Sequence, residues 1–484
     1  MTESQAVASI EDTVVKVAGA ATVWAATSEA ERARVIRAIA DALDAAGDSL
    51  IRIAQEETNL PTPRLQGELK RTTFQLRIFA ETIEKGEYLG VIIDHADPEW
   101  PMGAPRPDLR RMLVPIGPVL VFSASNFPFA FSVAGGDTAA ALAAGNAVVV
   151  KAHSGHPKLS DATAAVIADA AARAGAPEGL LEVIHGQQEG VDALKHPAIK
   201  AASFTGSIPG GRALFDIANA RPEPIPFYGE LGSVNPAFFM PAAATARPGE
   251  IADGYLGSIT GSQGQLCTKP GLLFVPEDST VVESLRVATS PSPAPLLNER
   301  IQESYVRELQ RIQAVEGVDT IKSGDNSLAD PPEATVLFTS IDQVLADPET
   351  LIAEIFGPAG VVVTYSDPAS LTEVAKALDG QLTSTIFAEA ESDSDLEVAR
   401  DLLPILREKA GRLLWNQWPT GLSVTYAQQH GGPYPATTAP TTTAVGTTSI
   451  ARFLRPVVFQ NFPEALLPAQ LHDSNPLGIP QQVN

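Results

Sequence analysis

The sequence predicts an α/β protein built around a doubly wound parallel sheet. From about residue 117, short runs of β-branched apolar residues alternate with Ala-rich stretches of helical period, and the first hundred residues carry apolar stripes typical of helices. Buried parallel strands consist of such near-continuous apolar runs. The chain has 484 residues, which is enough for two or three domains.

The first hundred residues are expected to form core helices. Ser28 and Glu31 have the spacing of a capping box, and an apolar stripe of helical period follows over residues 35–43. Gly47 interrupts this helix, and a further stripe follows two prolines, over residues 65–83.

The parallel sheet is predicted from alternating strands and helices. The predicted strands are 119–122, 147–150, 181–184 and 199–204, and the helices between them are 137–144, 159–174 and 212–218. A less regular α/β block is expected from about residue 230, with a helix at 251–260, a strand at 272–275 and an amphipathic helix over 371–378. Residues 437–448 are expected to form a loop or extended arm, 453–459 an edge strand, and the Pro- and Gln-rich end a surface tail.

Composition excludes several classes of protein. The chain carries 34 Lys and Arg against 57 Asp and Glu, a net charge of −23, and such a surface repels nucleic-acid phosphates and anionic lipid. Cys267 is the only cysteine, which excludes intramolecular disulfides and cysteine-rich metal sites. No apolar run approaches the ~20 residues of a membrane span, and the N-terminus, with Glu3, Glu11 and Asp12, lacks the basic start of a signal peptide. We therefore expect a cytoplasmic protein with neither nucleic acid nor membrane as a partner.

Cys267 is a candidate nucleophile. It lies between a predicted helix and a predicted strand, and Gly261, Gly264 and Gly271 flank it. Glycines allow a sharp bend that brings the backbone close to a ligand, and the N–H groups of such a turn can face an oxyanion. The alternative is a small buried core residue, which is the commonest role of a lone cysteine.

Glu230 and Asn126 are candidate partners of this thiol. A thiolate nucleophile needs a group that handles protons and donors that hold the oxyanion it creates. Glu230 ends a predicted strand and Asn126 follows another, so both are expected at the carboxyl edge of the sheet, where α/β proteins place their sites. Taken alone, Glu230 could equally be a cap or a surface ion pair, and Asn126 a turn residue.

Nucleotide binding is predicted from a different pattern than the usual glycine motifs, because the sequence has neither G-x-G-x-x-G nor a P-loop. Lys151 ends one predicted strand, and Thr205-Gly206-Ser207 ends another and opens a helix. A cation and a helix N-terminus at one sheet edge suit a pyrophosphate and an adenosine ribose.

The histidines are interpreted as structural or surface residues, and no catalytic metal is expected. None lies in an H-E-x-x-H pattern, and no carboxylate accompanies the closely spaced pair at metal-ligand spacing. The seven are His95, His153, His156, His185, His196, His430 and His472.

Taken in order, six segments resemble the aldehyde dehydrogenase superfamily. They are Asn126-Phe-Pro, Val-Val-Val-Lys151, Phe-Thr-Gly206-Ser207, Glu230-Leu-Gly232, Gly264-Gln-x-Cys267 and Glu354-Ile-Phe356-Gly-Pro358. More narrowly, the segments that begin at Lys151, Trp415, His430 and Arg452 are similar to a bacterial branch that contains 2-oxoglutarate semialdehyde dehydrogenases and an NADP-dependent fatty aldehyde dehydrogenase. The resemblance covers most of the chain and implies a Rossmann-type cofactor domain, a second α/β catalytic domain and an oligomerisation arm.

The resemblance also implies roles for single residues. Cys267 would attack the aldehyde carbonyl, and the Asn126 side chain and the Cys267 backbone N–H would hold the oxyanion. Glu230 would activate the water that hydrolyses the thioester. Glu354 would hold the nicotinamide ribose, and Phe356 would pack beside the ring.

One departure from the family pattern concerns the cofactor. NAD-preferring relatives commonly carry a glutamate three residues after the strand-end lysine, where this chain has Ser154. A carboxylate there would repel a 2′-phosphate, so Ser154 with Lys151 as the cation predicts NADP, with NAD as a second acceptor. Gly206 and Ser207 complete the predicted cofactor residues.

The resemblance divides the chain into expected domains. They are a dinucleotide-binding domain (1–108 and 118–229), a catalytic domain (230–436), an oligomerisation arm (109–117 and 437–460) and a C-terminal tail (461–484). The arm implies a homodimer or homotetramer in which residues 441–459 pair with 110–115.

The favoured substrate is 2-oxoglutarate semialdehyde, and a long-chain fatty aldehyde is the alternative. Residues 415–434, expected at the entrance, contain no Arg or Lys, so a substrate carboxylate would use amide or backbone donors, or an arginine from elsewhere. A different class, a non-redox cysteine thioester hydrolase or acyl-transferase, would use Cys267 and Glu230 alone. A degenerate, non-enzymatic protein would be expected to lack one of Asn126, Glu230 and Cys267, and all three are present.

Overall fold

The structure is a computed structural model and describes residues 9–323 and 331–484. The predictions that involve Glu3 and the first eight residues of the expected cofactor domain lie outside the described residues. Within the described ranges, no helix combines the length and the apolar character that crossing a membrane requires.

The strands form three sheets. In chain order they are β1 (Val91–Asp94), β2 (Leu109–Pro115), β3 (Val119–Phe122), β4 (Val148–Lys151), β5 (Leu181–Ile184), β6 (Ala201–Thr205), β7 (Phe227–Glu230), β8 (Ala237–Phe239), β9 (Leu272–Pro276), β10 (Asp319–Lys322), β11 (Thr335–Ser340), β12 (Ala359–Tyr365), β13 (Gln381–Phe387), β14 (Ala410–Trp415), β15 (Leu454–Gln460) and β16 (Gln481–Val483). The sheet orders are β5-β4-β3-β6-β7, β10-β11-β12-β9-β8-β13-β14 and β15-β2-β1-β16.

The helices cover the sheets and join their strands. They are α1 (Ile10–Ala25), α2 (Glu29–Ala45), α3 (Gly47–Thr58), α4 (Thr62–Lys85), α5 (Gly136–Ala144), α6 (Pro157–Arg173), α7 (Gln187–Lys195), α8 (Ile208–Asn219), α9 (Pro241–Ala246), α10 (Pro248–Thr260), α11 (Val281–Val287), α12 (Glu299–Gln313), α13 (Ile341–Ala346), α14 (Pro348–Leu351), α15 (Ser370–Ala377) and α16 (Asp393–Lys409).

The N-terminal helices form as their capping and periodicity predict. Ser28 accepts a hydrogen bond from the Glu31 backbone N–H, and the Glu31 carboxylate accepts one from the Ser28 N–H, which completes the capping box. The stripe over residues 35–43 is buried, and it packs with residues of α4 and of the first sheet in one core.

The five-stranded sheet confirms the predicted doubly wound layer. All five strands are parallel, and each predicted strand lies within two residues of an observed one. Strands β3 and β4 are almost completely buried, which is why their sequences are nearly continuous apolar runs rather than alternating ones. The seven-stranded sheet has buried clusters on both faces, so the second α/β block is also a three-layer unit.

The C-terminal end differs from the predicted surface tail. Residues Gln481–Val483 form β16, which pairs in parallel with β1, and Leu471 and Ile479 are buried against the same small sheet. Ile479 packs so closely on Gly86, whose φ is +72°, that a Cβ at Gly86 would lie 2.4 Å from it. The Pro- and Gln-rich composition conceals these few apolar anchors, which hold the end in place.

The expected arm is only partly an extended strand. Residues Leu454–Gln460 form β15 and pair antiparallel with β2 over Leu109–Pro115, as predicted. The preceding stretch, expected as a loop or extended arm, is a loop that packs in part against β7: Thr438 bonds to Gly229 in both directions, and Thr437 forms a bridge to Glu230. The Thr437 and Thr438 side chains can pack there because their hydroxyls donate to the backbone carbonyls of Gly432 and Phe227.

Candidate active site

The carboxyl ends of the parallel strands align the predicted polar residues along one edge. Register pairs Phe122 with Lys151 and Thr205 with Glu230, so Lys151, Thr205 and Glu230 all end their strands at this edge. The chain beyond each strand turns over the same edge. The topology therefore places the predicted cofactor and catalytic residues on one side of the sheet.

Glu230, His430 and Cys267 form a buried cluster. His430 Nε2 lies 2.9 Å from Glu230 Oε1 and 3.5 Å from Cys267 Sγ. Glu230 is 3% exposed and His430 is 1% exposed, and one potential ligand atom from each of the three residues lies within 4.8 Å of the others. Glu230 Oε2 and His430 Nδ1 are buried and have no partner among the described residues. The cluster thus combines a nucleophile with two groups that can accept protons.

The loop that carries Cys267 is fixed from both sides. Asn235, in the left-handed region at φ 50°, donates through its side-chain amide to the carbonyls of Cys267 and Lys269 at 2.8 and 3.0 Å. Gly264 has φ +69°, and a Cβ there would lie 1.9 Å from the Gly357 carbonyl oxygen. A residue with a side chain would displace one of the two segments, so this turn requires glycine.

Asn126 contacts the same loop. Its side-chain Nδ2 donates to the Gln265 carbonyl at 2.9 Å, two residues before Cys267. An amide nitrogen carries two hydrogens, so this bond leaves one donor. The Cys267 backbone N–H has no acceptor within residues 9–323 and 331–484. Two donors are therefore close to the thiol.

Lys269 connects the thiol loop to the segment that contains Glu354 and Phe356. Its buried ammonium donates to the carbonyls of Ile355, Gly357 and Ala359, the last at 2.7 Å. Burial lowers the pKa of Lys269 and raises that of Glu354, while the two groups stabilise each other's charged form. No sequence motif predicts this role of Lys269.

Burial controls the ionisation of the thiol. It raises the pKa of Cys267 well above its ordinary value, and the negative charge of Glu230 raises it further. The guanidinium of Arg71 acts in the opposite direction. At neutral pH Cys267 is therefore a thiol, and its attack on a carbonyl requires a proton acceptor.

The predicted cofactor residues lie in two places along the edge. A Cβ at Gly232 would lie 2.6 Å from a Glu354 carboxylate oxygen and 3.3 Å from Ile208, so Glu354 and the start of α8 meet over Gly232. Ser207 caps α8 by accepting from the Gly210 N–H, and Gly206 precedes it on the exposed surface.

Lys151 and Ser154 lie at the other end of this edge. Burial lowers the pKa of Lys151, and so does a neighbouring cation, Arg300, while Glu189 acts in the opposite direction. Lys151 Nζ makes no hydrogen bond or ion pair to any described residue, and Ser154 is exposed. Arg300 was not among the residues predicted from the sequence.

His430 corrects the interpretation of the histidines as structural or surface residues. It is 163 residues from Cys267 and 200 from Glu230 in sequence, so no local spacing relates the three. It reaches them because the loop after β14 returns over β7, where its backbone N–H donates to Thr443 Oγ1 at 2.8 Å. The Gly-Gly pair after His430 is the one local signal of a close backbone approach.

Comparisons with known proteins agree with this arrangement. A family model described as "Aldehyde dehydrogenase family" matches residues 2–433. Alpha-ketoglutaric semialdehyde dehydrogenase 2 of Azospirillum brasilense is 45% identical over 93% of this chain and 86% of its own. Alpha-ketoglutaric semialdehyde dehydrogenase of Acinetobacter baylyi is 43% identical over 95% and 87%. Among solved structures, a lactaldehyde dehydrogenase superposes with a TM-score of 0.78 at 21% identity, over 93% of this chain and 90% of the other, which shows a shared fold.

Proposed function

The chain belongs to the aldehyde dehydrogenase family, and from this premise we propose that it oxidises 2-oxoglutarate semialdehyde to 2-oxoglutarate with NADP as the electron acceptor. The observation that carries the chemistry is the buried cluster of Cys267, His430 and Glu230. The names of the two relatives above 40% identity support the substrate.

Cys267 is the nucleophile of this proposal. Its pKa is raised by burial, so the thiol must lose its proton as sulfur attacks. His430 Nε2–H donates to Glu230 Oε1 at 2.9 Å, so Nε2 has no free lone pair for that proton. Glu230 takes it up instead, because its Oε2 is buried and has no partner among the described residues.

The oxyanion of the thiohemiacetal is held by two donors close to the thiol. One is the second hydrogen of the Asn126 amide, whose first hydrogen is fixed by the Gln265 carbonyl. The other is the Cys267 backbone N–H, in a loop that Asn235 holds in place. Donors that are oriented before the reaction cost no reorganisation when charge develops.

Hydrolysis of the thioester requires a base that can reach a water beside Cys267. Glu230 is suited to this step because Oε2 is buried and has no partner among the described residues, while Oε1 bonds to His430. Glu230 therefore activates the water, and His430 fixes the orientation of its carboxylate.

A nicotinamide cofactor fits the carboxyl edge of the first sheet, and when bound it supplies the acceptor for the two electrons of the oxidation. The fit rests on the Lys151 ammonium, which has no partner among the described residues, and on the close approach of the Glu354 carboxylate to Gly232, where a Cβ would lie 2.6 Å from it. Lys151, Ser154, Gly206 and Ser207 would hold the adenosine end, Glu354 would hold the nicotinamide ribose, and Phe356 would pack beside the ring.

NADP is favoured over NAD by the charges around Lys151. Arg300 is close enough to lower the pKa of Lys151, and Ser154 presents no carboxylate to a 2′-phosphate. Two cations suit a phosphate dianion. The test is kcat/KM for NADP and NAD in the wild type and in Arg300→Met, whose NADP preference we expect to fall. A wild-type preference for NAD would overturn this part of the proposal.

The substrate is tested by comparing kcat/KM for 2-oxoglutarate semialdehyde and decanal. We expect the semialdehyde to be favoured by at least an order of magnitude, and equal or higher values for decanal would favour the fatty-aldehyde alternative. NADPH formation that disappears in Cys267→Ala separates both from a non-redox thioester hydrolase.

We also propose a homo-oligomer of two or four chains that works in the cytoplasm. Strand β15 is the edge of its sheet, and Val458 and Phe462 beside it are 51% and 48% exposed, so a second chain would cover them. A catalytic free thiol suits a reducing compartment. A monomer in light scattering would contradict the assembly, and export from the cytoplasm would contradict the location. The domain boundaries given above are retained as part of this proposal.

A further inference from the structure

Arg71, in helix α4, has a guanidinium with no polar partner. Its Nε and Nη2 atoms are buried and make no hydrogen bond, and no carboxylate in the described part of the chain forms an ion pair with it. Two turns earlier on α4, Arg64 differs, because it is bonded to Glu68, to Ser262 and to the Asn126 carbonyl. Arg71 as a whole is half-buried, but its two buried N–H groups lack an acceptor, which is costly, so these atoms suit an anionic ligand.

Aromatic rings hold Arg71 and connect it to the catalytic cluster. Its guanidinium carbon lies 5.6 Å from the Phe127 ring centre and 5.4 Å from that of Phe131. The Phe131 ring lies 6.4 Å from the His430 ring, and His430 in turn contacts Cys267. The rings fix the guanidinium by cation–π contact but accept none of its hydrogen bonds.

The free atoms of Arg71 define the ligand that fits. Nε–H and Nη2–H form the side-on fork of the guanidinium, which matches the two oxygens of one carboxylate. In 2-oxoglutarate semialdehyde four carbon–carbon bonds of ~1.5 Å separate the aldehyde from the carboxylate, an extended reach of about 5 Å. A ligand of this length would have to bridge Arg71, whose charge acts on the Cys267 thiol, and the thiol itself, with its carboxylate on the arginine and its aldehyde at the sulfur.

We infer that Arg71 is the carboxylate-binding residue of the substrate site and that it selects short aldehydes with a distal carboxylate, the 2-oxo acid semialdehyde above all. The inference rests on the proposed function for the identity of that substrate. It supplies the arginine that the entrance segment 415–434 lacks. The fork takes both carboxylate oxygens, Phe127 and Phe131 exclude water from the pair, and the aldehyde end is directed toward Cys267.

Arg412, on β14, is the competing candidate. Its Nη1 and Nη2 donate to the carbonyls of Gly421 and Pro419, so both nitrogens already have an acceptor in the 419–421 loop. Only its Nε is buried without a partner. Arg412 is thus already held by two backbone carbonyls whereas Arg71 has no polar partner, which makes Arg412 the appropriate comparison variant.

The test measures kcat/KM for three aldehydes of five carbons: 2-oxoglutarate semialdehyde, 5-oxopentanoate and pentanal. The quantity compared is the ratio of each carboxylated aldehyde to pentanal, because a general effect on the thiol cancels in that ratio. Arg71→Met removes the charge and keeps an apolar chain between the rings, and Arg71→Lys keeps the charge without the fork. Arg77→Met is the matched control on the same helix, since Arg77 is a surface residue paired with Asp41 and Asp44.

We expect Arg71→Met to lower both ratios by about 100-fold or more, since two charge-assisted hydrogen bonds are lost, and Arg71→Lys to lower them by about 10-fold. Arg77→Met leaves them unchanged. The melting temperature reports whether each variant is folded.

The outcomes separate this inference from the proposed function. If the wild type favours the carboxylated aldehydes and Arg71→Met keeps that preference, or if only Arg412→Met loses it, the inference is wrong and the proposed function stands. The wild type could favour 5-oxopentanoate over pentanal and yet not favour 2-oxoglutarate semialdehyde over decanal. The proposed substrate would then be wrong, and the Arg71 variants alone would decide whether Arg71 binds the carboxylate. A wild type without any carboxylate preference overturns both.

Discussion

The charge of Glu230 is predicted to suppress the reactivity of Cys267 in the resting enzyme. The perturbation is Glu230→Gln, which removes the charge and retains the shape of the side chain. The two groups are no more than 4.8 Å apart, and unit charges at that distance interact by about 3.5 kcal/mol at an effective dielectric constant of about 20. The substitution should therefore lower the pKa of Cys267, because the repulsion from Glu230 no longer opposes the thiolate.

Reaction with iodoacetamide measures this effect, because Cys267 is the only thiol in the chain. At neutral pH the thiolate fraction rises by several hundredfold, but a thiolate of lower pKa is a weaker nucleophile, with a Brønsted coefficient of about 0.4–0.5. The net expectation is a rate about 10- to 30-fold higher than that of the wild type, with a pH profile displaced to lower pH.

The control for this experiment is Glu84→Gln, which removes an exposed carboxylate paired with Arg37 and should leave the alkylation rate unchanged. An unchanged or slower rate in Glu230→Gln, with the wild-type pH profile, would refute the account of how burial and charge set the pKa of Cys267.

Three further predictions concern the same loop and cluster. His430→Gln should lower kcat/KM by about 10- to 100-fold because Glu230 loses the charge-assisted hydrogen bond that orients its carboxylate; an unchanged kcat/KM would contradict this role. Gly264→Ala should lower the free energy of unfolding in urea by at least the ~1–2 kcal/mol that a left-handed residue costs, and it should slow alkylation of Cys267. Gly249→Ala should do neither, because a Cβ there meets open space. Equal behaviour of the two variants would show that the close approach of Gly264 to Gly357 does not determine stability. Zn²⁺ should inhibit reversibly, since a thiol, an imidazole and a carboxylate converge, and EDTA should restore activity; insensitivity to excess Zn²⁺ would show that the cluster does not close around a cation.

The fold and part of the candidate site could be predicted from local patterns in the sequence. Three site residues could be located because the pattern that marks each lies within a few residues of it. Lys151 and Glu230 end apolar strands, and Cys267 is flanked by glycines. Strand limits followed from apolar runs for the same reason. The burial of residues 437–446 and the pairing of β16 could not be predicted, because Leu471 and Ile479 are isolated anchors in polar sequence.

The residues that were missed act across long sequence separations. His430 reaches Cys267 from 163 residues away, and Arg71 approaches from a helix that the sequence marks only as core. Lys269 is next to the nucleophile, but its role depends on carbonyls some 90 residues later. Each depends on packing between elements, which the order of motifs does not encode.

The central claim is that Cys267 carries the acyl group and that Glu230 is needed to release it. Intact-mass measurement of Glu230→Gln after mixing with NADP and 2-oxoglutarate semialdehyde tests this directly. The account predicts one acyl group per chain, located on Cys267, formed in a single burst of NADPH and absent from Cys267→Ala. Steady turnover by Glu230→Gln without an acyl adduct, or NADPH formation by Cys267→Ala, would contradict it.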